Sequence, residues 1–166
     1  MEGWDNFFVA MAGAAAAFAG LVLVSISINL ERIVKQSSLI GRSAEPLIVL
    51  FTLFVASSII LIPDQRTALY GVELLVLAVA FTVVIGTVLR KQRNPAVHNE
   101  RLGIAPRNSF RFRLLLCALT AGFLLAAGIA LTLEHPGGVF LLVPAAVIGF
   151  LLSFTDAWVL LIEIDR

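Results

Sequence analysis

Histidine and cysteine are almost missing from this chain of 166 residues, which has two of the first and one of the second. A single cysteine, Cys117, rules out an intrachain disulfide and a cysteine-based metal site. His98 and His135 both fall between apolar runs, so a bis-histidine haem within one chain is excluded. Charge is scarce too: 14% of the residues are Asp, Glu, Lys or Arg. An average soluble domain has about a quarter. The shortage excludes a disordered chain, an ordinary soluble enzyme and the usual basic nucleic-acid-binding domain. The sequence also lacks a His-Glu-x-x-His pattern, a Gly-x-Ser-x-Gly elbow and a Walker loop. No lysine or histidine stands inside an apolar run to serve a nucleophilic serine. Neither a metal nor a cofactor is expected, and the chain reads as non-catalytic.

What is present is hydrophobic length: 60% of the residues are apolar. A membrane-spanning helix needs about 20 largely apolar residues. Five runs qualify, at 7–30, 46–62, 67–89, 112–133 and 139–162. Barrel strands are shorter and alternate in polarity, so these are helices. The expected fold is an all-α integral membrane protein, one domain over 1–166, a bundle of five transmembrane helices. Pro46 fits the first turn of the second run. Pro63 ends that run, and Pro136-Gly137-Gly138 form a turn between the last two. Pro144 predicts a kink near 140–144. Residues Glu31 to Ser38 are expected to prolong the first helix.

Basic residues assign the sides. Arg32, Lys35 and Arg42 follow the first run; Arg90, Lys91, Arg93, Arg101, Arg107, Arg111 and Arg113 lie in the loop 90–113; Arg166 ends the sequence. Only Arg66 lies opposite. By the positive-inside rule the N-terminus is outside and the C-terminus cytoplasmic. The first run follows an acidic tail, Glu2 and Asp5, which does not resemble the positive n-region of a cleaved signal peptide. It is read as a true helix, with Trp4 at the outer interface. The expected setting is a bacterial plasma membrane.

Helices in lipid associate through small residues that let backbones approach. Gly13, Ala17, Gly20, Val24 and Ser27 share one face of the first run; Ala145, Gly149, Ser153 and Asp156 share one face of the fifth. The fourth offers Ala118, Gly122 and Ala126. Runs one, four and five are therefore expected to form the tight centre, with two and three more exposed to lipid. The face of the first run serves either this packing or a seam between copies.

Ionisable groups at membrane depth are functional candidates by default. Asp156, with Ser153 beside it, and Glu73 qualify. Asp156 is either an ion- or proton-binding carboxylate on a pathway or a structural group within reach of Arg111 or Arg113. Glu73 is nearer the surface and able to snorkel. Arg90, Lys91, Arg93, Arg107, Arg111 and Arg113 are candidates for contact with anionic lipid headgroups. The basic loop carries no folded nucleic-acid-binding module. Three readings of function follow: a self-associating or accessory membrane subunit; a homo-oligomeric channel or small carrier for cations or protons using Asp156; and, more remotely, an enzyme acting on lipid.

Overall fold

The computed structural model describes residues 3–35, 37–92 and 107–162. Among the described residues there are no strands, and the elements are α1 (Asp5–Ile28), α2 (Leu30–Lys35), α3 (Ser37–Ile60), α4 (Thr67–Gln92), α5 (Arg107–Thr132), a 3-10 segment (Pro136–Leu141) and α6 (Leu142–Ile162). Five stretches are long and apolar enough to cross a membrane: Asp5–Ile28, Ser43–Ile60, Thr67–Lys91, Phe110–Thr132 and Pro136–Trp158. All five expected runs are helical, and the differences lie at their ends.

Three of those differences have clear causes. Pro46 stands in the interior of α3, because the helix starts at Ser37. The polar residues before Pro46 lower the hydropathy of that stretch without opposing a helix. Expected continuity between the first helix and Glu31–Ser38 fails at Asn29, whose backbone N–H and Nδ2 both donate to the Ser25 carbonyl, the latter at 3.1 Å. At the last reversal, the turn lies at Leu133–His135 rather than at Pro136–Gly138. The His135 N–H donates to Ala130 O and the Glu134 N–H to Leu131 O, a Schellman closure with Glu134 at φ 58. Pro136 then opens the 3-10 segment. Pro144 falls in the first turn of α6, where helix N–H groups have no partner to lose. The expected kink is instead a change of helix type at Leu142.

The packing order corrects the sequence expectation. α3 packs against α1, α4 and α6, and α5 packs against α4 and α6. The apolar window of α3 is 56% buried and that of α1 only 22%. The most buried helices are therefore α3, α6 and α5, and α1 is the least buried. Gly13, Ala17, Gly20 and Ser27 are all exposed in the single chain. A Cβ added at Gly13 or Gly20 would meet nothing within 4 Å. α1 buries Phe8, Met11, Ala15, Val22 and Ser25 instead. Phe8, Met11 and Val22 give this face more dispersion contact than a row of glycines and alanines offers. On α5 the same reversal holds: Ala118 and Gly122 are exposed, while Thr120, Ala121, Leu124 and Ala127 are buried. Ala145 and Gly149 on α6 are buried as expected, with Gly149 facing Val49 and Leu53 of α3.

α4 and α5 cross closely at the end remote from the α5 N-terminus. Gly71 lies against the backbone of Thr132 and Gly128, and Gly128 lies against Leu75. The Tyr70 hydroxyl donates to the Ile62 carbonyl and fixes the preceding turn. At the same end of the bundle, Trp4 meets Phe140 edge-on with ring centroids 4.8 Å apart, and it also meets Phe7 edge-on and Phe8 at a tilt. These rings anchor the start of α1 to the 3-10 segment.

This geometry separates glycines that look alike in sequence. Gly71→Ala forces α4 and α5 apart and is expected to cost about 1–3 kcal/mol, the usual range for overpacking. Gly20→Ala adds a methyl to open space and is expected to leave stability unchanged. Thermal unfolding of the two variants in detergent checks this; equal melting temperatures would refute the assigned crossing.

Candidate functional site

Three helices bring ionisable side chains together at the end of the bundle formed by the starts of α3 and α5 and the close of α6. On α3 the buried residues Glu45, Val49, Leu53, Ala56 and Ile60 recur every three or four positions. Glu45 is thus the first member of an apolar stripe and is fully buried, at 0% exposure. On α5 the buried series Arg113, Cys117, Thr120, Ala121 and Leu124 begins with an arginine. On α6 Leu142, Ala145, Gly149, Leu152, Ser153 and Asp156 face inward, ending with the acid.

Arg113 joins all three. Its Nη2 pairs with Glu45 Oε2. Its Nε lies 3.0 Å from Asp156 Oδ1, off the line of the N–H, so this contact is an ion pair and not an aligned hydrogen bond. Cys117, one turn further along α5, places its Sγ 3.5 Å from Glu45 Oε1. Ser153, one turn before Asp156, directs its hydroxyl to the Pro46 carbonyl at 3.5 Å. Each polar group here sits toward the end of a buried helix stripe and is matched by a group on another helix.

Charges taken out of water are tolerated only when paired, because their desolvation costs several kcal/mol per ion. The short reach of Glu and Asp also matters. α3 and α5 are not close neighbours along their backbones, and the long arginine stem spans the gap. A lysine would present a point charge to one carboxylate, whereas the guanidinium fork faces two.

Of the residues expected from sequence, Asp156 and Ser153 are in this cluster. Glu73 is not: it is half-buried on α4 beside the Gly71 crossing, at the opposite end of the bundle. Its Oε2 is shielded from solvent and has no hydrogen-bond partner among the described residues. Arg90, Lys91 and Arg111 are exposed. Arg113 is buried and paired, which corrects its assignment to headgroup contact. Arg93 and the side chain of Arg107 lie outside the described residues, as do His98, Glu100 and Glu163.

Glu45 escapes sequence reasoning because it precedes a proline that reads as a helix start. The signal that finds it is the backward continuation of the stripe Ile60, Ala56, Leu53 and Val49 by one further step of four. Arg113 was within reach of Asp156 on sequence grounds, but the third partner that makes the arrangement an interhelical joint was not visible.

Arg113→Met leaves two buried acids facing apolar surroundings and is expected to cost about 3–5 kcal/mol, or to prevent folding. Adding Glu45→Gln and Asp156→Asn to it removes the stranded charges and is expected to recover most of the loss. Thermal unfolding of the single and triple variants checks this; a single variant as stable as wild type would remove the joint from the account. Comparison with models of protein families, with curated proteins and with solved structures found no match, so the functional reading rests on this cluster and the bundle that carries it.

Proposed function

We propose that this chain is a small polytopic membrane subunit without catalytic activity, which self-associates or serves a larger membrane partner. The observation that carries this reading is the engagement of Asp156 by Arg113, alongside Glu45. The acid that best fitted an ion pathway is occupied in holding three helices together. A carboxylate that loads and releases a cation needs an open coordination sphere and access from one side. Asp156 is only 3% exposed and faces a guanidinium. The proposal places the chain in a bacterial plasma membrane, with the joint near the cytoplasmic face and Trp4 and Phe140 at the outer one. The bias of Arg and Lys toward the joint end of the bundle supports this orientation.

A second reading, a cation or proton carrier using Asp156, is favoured by one feature. Two carboxylates face a single guanidinium and the Cys117 thiol donates to one of them, so a proton moving among them would alter the pairing.

Two experiments separate the readings. Native mass spectrometry after mild extraction is expected to find an oligomer or a stable complex; a lone monomer would count against the subunit reading. In proteoliposomes the wild type is expected to pass protons or cations no faster than empty vesicles. Flux that Asp156→Asn abolishes in a folded protein would establish the carrier instead. For the orientation, a C-terminal reporter active only outside the cytoplasm is expected to be silent, and activity there would reverse the assignment.

A further inference from the structure

A cleft of about 620 Å³ opens between α1, α3 and α4. Ala16 and Ala19 of α1 form one wall, Ala80 and Val84 of α4 the other, and Leu50 and Phe51 of α3 the floor. The alanines set its width: α1 and α4 both lean on α3, and small side chains leave the space between them unfilled. The one polar group in the lining, the Thr52 hydroxyl, donates to Ile48 O at 2.8 Å within its own helix. Whatever lies in the cleft is therefore held by apolar contact alone.

The cleft is not neutral along its whole edge. On α4 its wall uses Leu77, Ala80, Phe81 and Val84, spaced by three and four. The same face continues to Val88 and then to Lys91, seven residues and about 10 Å beyond Val84. Lys91 is exposed, and so is Arg90 beside it at the end of the helix. An apolar slot thus ends, within about two helical turns, beneath a cation on the same helix face.

We propose that this cleft binds an anionic phospholipid, with an acyl chain between α1 and α4 and the headgroup at Lys91. A helix of a second copy is the competing occupant, and charge decides between the two. Charge argues for the lipid: a basic residue near the membrane surface attracts an anionic headgroup by about fivefold in affinity. The site is independent of whether the chain acts alone or with a partner, and of which leaflet the headgroup occupies.

The test uses the full chain reconstituted in vesicles of phosphatidylcholine and phosphatidylglycerol, extracted gently and read by native mass spectrometry for retained lipid. Wild type is expected to retain one phosphatidylglycerol in preference to phosphatidylcholine. Lys91→Glu is expected to lower that preference at least fivefold. Ala80→Leu, which fills the cleft from the α4 wall, is expected to lower total retention. Arg111→Glu, on a helix that does not line the cleft, is expected to behave as wild type. Melting temperatures confirm that each variant is folded, and Ala16→Leu replaces Ala80→Leu if the latter is not. Equal retention of the two lipids, or equal loss in Lys91→Glu and Arg111→Glu, would overturn the site, since the latter marks a generic basic surface. A second copy retained in place of lipid would overturn it as well.

Discussion

A guanidinium inside an apolar bundle must be met by acceptors, and the position of Arg113 sets what its neighbours can be. Glu45 and Asp156 lie on different helices, so satisfying the charge also fixes α3, α5 and α6 relative to one another. Apolar packing in lipid does not do this. Leucine is as content against an acyl chain as against another leucine, so burial alone gives little preference for one helix arrangement. A buried ion pair is no guarantee of net stability, since an apolar replacement of the same shape is often equal or better. Its effect is selective: arrangements that separate Arg113 from the acids strand charges in a low-dielectric medium and are removed from competition.

The two ends of the bundle are fastened by different means. At the joint end, the Arg113 side chain links α5 by charge to α3, whose backbone stays apart from it. At the other end, α4 and α5 touch backbone to backbone through Gly71 and Gly128, and the contact is dispersion at short range. Between them α3 runs along the centre with its stripe of Val49, Leu53 and Ala56. Each device suits its setting. Long polar side chains can draw on the surface region at the end of a helix, whereas glycine contact needs no polar group and works at any depth.

Sequence reading recovers the five helices well because each is set by local hydropathy, and hydropathy is what a membrane-spanning helix requires. It recovers partner choice poorly. Gly13, Gly20 and Gly71 are alike in composition, yet only Gly71 sits at a close crossing, and that depends on which helix lies opposite. Asp156 is legible because an acid seven residues inside an apolar run stands out. Glu45 is not, because Pro46 masks the continuation of the helix behind it. A proline marks a helix start only when nothing upstream can form the preceding turn, and Ser37 to Glu45 can.

The low burial of α1 follows from the same division. Rings of Trp4, Phe7 and Phe8 hold its beginning against Phe140, and Val22 with Leu50 and Ala157 forms a small separate cluster near its end. Between these points α1 presents alanines to α4 across the face of α3. Two helices that both rest on a third are separated by the width of what stands on that third helix, here Leu50 and Phe51. Alanine cannot close such a gap, and leucine at the same positions would. The cleft is thus a consequence of small residues placed where no backbone approaches, the opposite of their role at Gly71. Small side chains in this fold have two outcomes, close contact or open space, and the neighbouring helix decides between them. In water the open outcome would expose apolar surface at a cost. In a bilayer an acyl chain would fill it, the occupancy proposed for a groove whose α4 face continues toward Lys91.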